Sequence, residues 1–132
     1  MRFVLCFCMI FFVSIGQGQI LSSQDLRLKI VGRDIKDTAI TVEELSKIEK
    51  IEGNYPWIIV NEITVVLAGI CLNETGINSR TCFGNVVCGR AKDLLSYVRH
   101  SGSGAIVIIE SHNSTNKSGN KLAVSPLFLK VK

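Results

Sequence analysis

Two apolar blocks constrain this chain more than anything else in it. Ile63-Thr64-Val65-Val66-Leu67-Ala68 and Ala105-Ile106-Val107-Ile108-Ile109 are rich in β-branched residues and show no period-two alternation. Such side chains favour a pleated backbone. A strand that is apolar on both sides predicts a sheet covered on both faces. Between the blocks, Arg90 to His100 reads as a helix, with Ala91, Leu94, Leu95 and Val98 at i, i+3, i+4 and i+7 on one face. Arg99 and His100 suit the negative end of its dipole, and Ser101-Gly102-Ser103-Gly104 ends it. Strand, helix, strand in this form predicts a parallel βαβ unit with a right-handed crossover.

The flanking segments fill in the rest. Leu26 to Val31 alternates apolar and charged residues, the signature of a half-buried strand. Thr41-Val42-Glu43-Glu44 is a capping box, in which the Thr41 hydroxyl and the Glu44 carboxylate each satisfy a free backbone N–H. Val42, Leu45, Ile48 and Ile51 then recur every three residues, predicting a helix that stops near Glu52-Gly53-Asn54, where glycine can turn left-handed. Trp57 to Val60 and Ile63 to Leu72 are apolar stretches divided by Asn61-Glu62, and residues 73–90 read as a polar loop. Leu122 to Val131 adds a last strand, which Pro126 confines to an edge or bends. The expected fold class is a small α/β sandwich: one mixed sheet of about four or five strands packed by two helices, containing one parallel βαβ unit.

The N-terminus sets the compartment. Arg2 precedes an apolar run from Phe3 to Ile15, broken only by Ser14, and Gly16-Gln17-Gly18 supplies small residues before Gln19. This is the layout of a secretory signal peptide over residues 1–18. A run of about 13 apolar residues falls short of the roughly 20 that span a bilayer as a helix. Residues 19–132 are then expected to form a single small secreted domain with no stable membrane span.

Secretion changes how the cysteines are read. Cys6 and Cys8 leave with the signal, so Cys71, Cys82 and Cys88 remain, an odd number in an oxidising compartment. One bridge among them leaves one thiol over, and all three pairings stay open. A disulfide-linked dimer is one fate for the odd cysteine. Three N-glycosylation sequons begin at Asn73, Asn113 and Asn116, all in polar loops.

Composition argues against several function classes. Without Arg2 the chain carries 14 Lys+Arg against 11 Asp+Glu, too mild an excess to call for nucleic acid. After Glu110 there are four lysines (Lys117, Lys121, Lys130, Lys132) and no acid, which reads as solubilising charge. Zinc wants three or four ligands with paired spacing, whereas Cys82 and Cys88 are six apart and His100 and His112 fall on different elements. No metal or cofactor is expected. Cys88 precedes the second helix, where a dipole lowers a thiol pKa, and it is the one position that invites thiol chemistry. His100 would lie about three turns away at the far end of the same helix, while His112 follows the second strand of the unit. Glycines 102–104 follow a helix and precede a strand, the reverse of a phosphate loop. Tyr55-Pro56-Trp57 has the look of an aromatic contact patch, although Trp57 at the mouth of an apolar strand reads more simply as core. Glu62 and Glu110 approach only if their strands are neighbours, and no acid–base pair is assigned to them.

The C-terminal half has an order of its own. A buried strand ends in Gly69-Ile70-Cys71, a helix follows, then Gly104-Ala105-Ile106-Val107-Ile108-Ile109, and finally Pro126-Leu127-Phe128-Leu129. Over residues 61–132 this resembles the core of a protease-associated domain. The resemblance implies an extracytoplasmic, non-catalytic domain that binds peptides or proteins or covers another domain. The expected function is accordingly a secreted, glycosylated protein- or peptide-binding module working through loops 73–90 and 110–121. The alternatives are a disulfide-linked subunit or ligand of an extracellular assembly, and a small secreted effector of the venom, salivary, seminal or immune type.

Overall fold

The computed structural model describes residues 26–33, 39–68, 78–98 and 104–132. The expected signal peptide over residues 1–18, Cys71, Asn73, His100 and Gly102 lie outside the described residues. Among the described residues no helix is long and apolar enough to cross a membrane.

The block 62–68 forms β5 (Glu62–Ala68), and its neighbours were not the ones its sequence announced. It pairs on one side with β6 (Ser79–Phe83) and on the other with β7 (Ile106–Glu110), antiparallel in both cases. β7 pairs antiparallel with β10 (Leu127–Val131), and β10 pairs parallel with the short β2 (Ala39–Ile40). The main sheet therefore runs β2-β10-β7-β5-β6. A second sheet joins β1 (Leu28–Ile30) to β3 (Ile51–Gly53), and a third joins β4 (Ile59–Val60), β8 (Ser114–Thr115) and β9 (Lys121–Leu122). The helices are short: α1 (Val42–Ser46) and α2 (Gly89–Ser96).

Among the described residues the two-helix α/β sandwich is thus corrected to a mostly β fold, 45% strand and 16% helix, in three sheets. The cause lies in Ser79–Phe83, which reads as loop because an edge strand buries only one of its five residues, Cys82. That extra strand reverses the chain once more before the helix. β5 and β7 consequently lie side by side and antiparallel, and no parallel βαβ unit joins them. Because β6 and β7 both oppose β5, they run in the same direction, and α2, which lies against β6 and β5, connects them across the strand between. Pro126 does not mark an edge either. It stands one residue before β10, where its missing N–H removes nothing from the ladder, and β2 pairs with the last two residues of β10, Lys130 and Val131.

The first helix is also shorter than its three-residue spacing predicts. The capping box forms, with Thr41 N donating to Glu44 Oε2 at 2.9 Å and Glu44 N donating to Thr41 Oγ1 at 3.1 Å. Leu45 and Ile48 are buried, but Ile51 reaches the core from β3, opposite Ile30. Gly53 is a strand residue rather than a helix stop. A Cβ there would sit 2.6 Å from Ile58 Cβ, so close approach, not a left-handed turn, requires glycine.

One face of the main sheet packs against α2, and its buried residues share one core cluster with those of α1 and the small sheets. Ile63, Val65, Leu67, Val107, Ile109, Leu129 and Val131 are all buried on that side. Each such aliphatic side chain contributes on the order of 1.5–3 kcal/mol of transfer free energy. The opposite face carries no layer among the described residues. The two-sided burial expected of β5 is therefore corrected to one-sided, with a strict alternation along the strand.

Candidate functional site

Strand register places the outward residues of four strands in rows. Phe128 of β10 lies opposite Ile108 of β7, which lies opposite Val66 of β5, which lies opposite Ser79 of β6. One step along, Lys130, Ile106 and Ala68 form the next row. One step the other way, Glu110, Thr64 and Thr81 form a polar row, and beyond it Glu62 faces Phe83. Phe128 is 52% exposed, Ile106 37% and Phe83 89%, while Ile108, Val66 and Ala68 are half-buried. The result is a contiguous apolar band on a sheet face that no other described element covers. Soluble monomers seldom present one without a use for it.

The polar row is internally satisfied. The Thr64 and Thr81 hydroxyls hydrogen-bond each other at 3.0 Å across β5 and β6. Glu110 Oε1 meets His112 Nε2 at 3.1 Å. Glu62 and Glu110 occupy the same face of neighbouring strands, two register steps apart, an arrangement the sequence left open. Among the described residues, no three His, Cys, Asp or Glu side chains come together in a group able to hold a metal ion.

Of the three cysteines expected in the secreted chain, the structure bridges Cys82 to Cys88, with Cα atoms 5.7 Å apart. Cys82 is buried on β6, and Cys88 occupies the N-cap of α2 without a side-chain cap hydrogen bond. Bridged, Cys88 holds no thiol for the dipole to activate. The bridge ties the end of β6 to the start of the helix that crosses to β7.

The remaining sequence candidates disperse. Asn113 is exposed between β7 and β8, its carbonyl accepting from Asn61 N at 2.9 Å. Asn116 turns the β8–β9 hairpin: its Oδ1 accepts from Ser118 N and Asn120 N, both at 3.0 Å, as an Asx turn does. Lys117 and Lys121 belong to that hairpin, whereas Lys130 stands on β10 of another sheet. Lys132 follows the end of β10, so two of the four lysines lie on the hairpin and two on or just after β10. Trp57 is corrected from core to surface. It is 40% exposed and stacks on Tyr55, ring centroids 5.6 Å apart. The working loops are corrected too, since 79–83, 114–115 and 121–122 are strands.

Sequence reasoning missed the open face as a site. Its signal was present in the unbroken apolar composition of β5 and β7, which demands cover on two sides while the fold supplies it on one. No protein-family model, curated protein or solved structure matches the chain, so the geometry itself carries the functional argument.

Proposed function

We propose that the protein is a secreted, non-catalytic binding module whose working surface is the open face of the five-stranded sheet. The observation that carries this is the uncovered row Phe128–Ile108–Val66, extended by Ile106 and Ala68. Exposed apolar area of this kind, rimmed by Lys130, Glu110 and the threonine pair, has the make-up of a protein contact: an apolar centre with a polar rim. The resemblance of residues 61–132 to a protease-associated domain points in the same direction. The apolar N-terminus and the sequons at Asn73, Asn113 and Asn116 support an extracellular, glycosylated setting.

The test is a photo-crosslinking phenylalanine analogue placed at position 128, activated in the protein's native extracellular medium. Adducts with a folded protein are the expected result. Crosslinks confined to the chain's own residues would mean that the face is covered internally, and would sink the proposal.

The Cys82–Cys88 bridge favours a second reading, a disulfide-linked subunit of an extracellular assembly, because it leaves Cys71 as the odd cysteine of the secreted chain. Intact mass with and without reductant tests it. A mass that falls by a partner's weight on reduction supports that reading, and an unchanged monomer mass removes it.

A further inference from the structure

We infer that the occupant of the open face is a second copy of this chain, docked sheet to sheet about a two-fold axis crossing the strands at the Phe128–Ile108–Val66 row. The inference rests on reading that face as an interaction surface, and it names the partner. Its basis is the placement of charge. On this face Lys130 lies on one side of the apolar row, and Glu110, with Glu62 beyond it, lies on the other. Lys130 is exposed and makes no ion pair among the described residues.

A two-fold axis across the strands exchanges the two ends of the face. Each strand then lies over its own copy in reverse, Ile108 over Ile108 and Phe128 over Phe128, and the row of Lys130 falls over the row of Glu110. Packed sheets stand about 10 Å apart and neighbouring strands about 4.8 Å. Lys130 of one copy therefore faces Glu110 of the other, offset by one strand, a span that the two long side chains bridge together. Symmetry makes this contact twice, as an isologous interface requires. A purely acidic partner would set like charge against Glu110, and a purely basic one would set it against Lys130.

Glu62 lies beyond the three rows that meet, and the polar groups of the Glu110 row within them have partners. The Thr64 and Thr81 hydroxyls already satisfy each other, and Glu110 already has His112 beside it. Four strands at about 4.8 Å and five residues at about 3.4 Å give a patch of roughly 19 by 17 Å. That is well under the roughly 800 Å² per partner of a standard stable interface, so the association belongs to the weak, reversible class.

The experiment is sedimentation velocity on the secreted chain from micromolar to near-millimolar concentration. Cys71 is replaced by serine, or alkylated in the wild-type chain, so that no covalent dimer forms. A reversible monomer–dimer equilibrium is expected, weakened at least tenfold by Phe128→Glu and, as a second probe of the same band, by Ile106→Lys. Lys130→Glu and Glu110→Lys should each weaken it several-fold, and the double swap should recover most of the loss. A monomer at every concentration overturns the inference. So does a dimer indifferent to both Phe128→Glu and Ile106→Lys, or a double swap no better than the single changes. A chain that stays monomeric yet crosslinks through position 128 to another extracellular protein defeats the dimer alone. Crosslinks only within the chain defeat the binding face as well.

Discussion

Val66 and Ile108 stand directly opposite each other on antiparallel neighbouring strands, and both point away from the core. Their immediate neighbours Val65 and Ile109, also a register pair, are fully buried on the other side. Four chemically similar residues thus divide between two environments, and the division makes the open face experimentally separable from the core.

Substitutions on the two faces should differ in cost. Ile109→Ala is expected to destabilise by about 2–5 kcal/mol through lost burial and a residual cavity. Ile108→Thr should cost less than about 1 kcal/mol, as a half-buried strand position tolerates threonine. Urea denaturation of both variants measures this, and equal costs would mean that the outer face is covered in the folded chain.

Peptide mapping under non-reducing conditions should recover Cys82 and Cys88 in one linked fragment. Replacing both with serine is expected to cost about 2 kcal/mol, the order for a loop this short. A map that links Cys71 to either of them would contradict the pairing.

Gly53→Ala should destabilise by about 1–3 kcal/mol, the range for forced overpacking. The nearest atom to the new methyl is Ile58 Cβ, at 2.6 Å. Truncating Ile58 to alanine keeps that atom, so the Gly53→Ala, Ile58→Ala double variant should not recover the loss. Thermal melts of the three variants decide it.

Glu44 should contribute to acid sensitivity. Its carboxyl is held below its ordinary value, first by the hydrogen bond from the Thr41 backbone N–H, then by the Thr41 hydroxyl and the Arg33 guanidinium 3.1 Å away. A lowered folded value means that its stabilisation is fully present above the ordinary glutamate pKa, about 4.3. That contribution is lost as pH falls through the lowered value. Glu44→Gln should therefore flatten stability against pH in that acid window and leave its shape unchanged at neutral pH. Thr41→Ala should cost about 1 kcal/mol at pH 7, as loss of an N-cap does. A pH series of urea midpoints for wild type and both variants provides the check.

Much of the local structure was legible in the chain itself. The capping box at Thr41 and Glu44, the apolar face of α2 and the alternation of β1 follow from side-chain spacing, because cap chemistry and the 3.6- and 2-residue periods act over a few residues. β6 was not legible. At an edge only Cys82 needs burial, and Ser79, Arg80 and Thr81 resemble loop. Missing it reversed the relation of β5 to β7. β2 was equally silent, since two residues carry no period, yet it moves β10 off the edge.

Spacing and composition alone were enough to expect strands within residues 63–72 and 105–109 and to turn Leu45, Leu94 and Leu95 inward, and three cysteines can form at most one bridge among themselves. Contacts between distant segments set which cysteines pair, which strands are neighbours, and that Val66, Ile106, Ile108 and Phe128 share one face left open by the described residues. The reason is physical. Periodicity and propensity are read along the chain, whereas strand order, disulfide distance and the covering of a face depend on which distant segments meet. A run of β-branched residues carries the demand for burial on both sides, but not the identity of what supplies it.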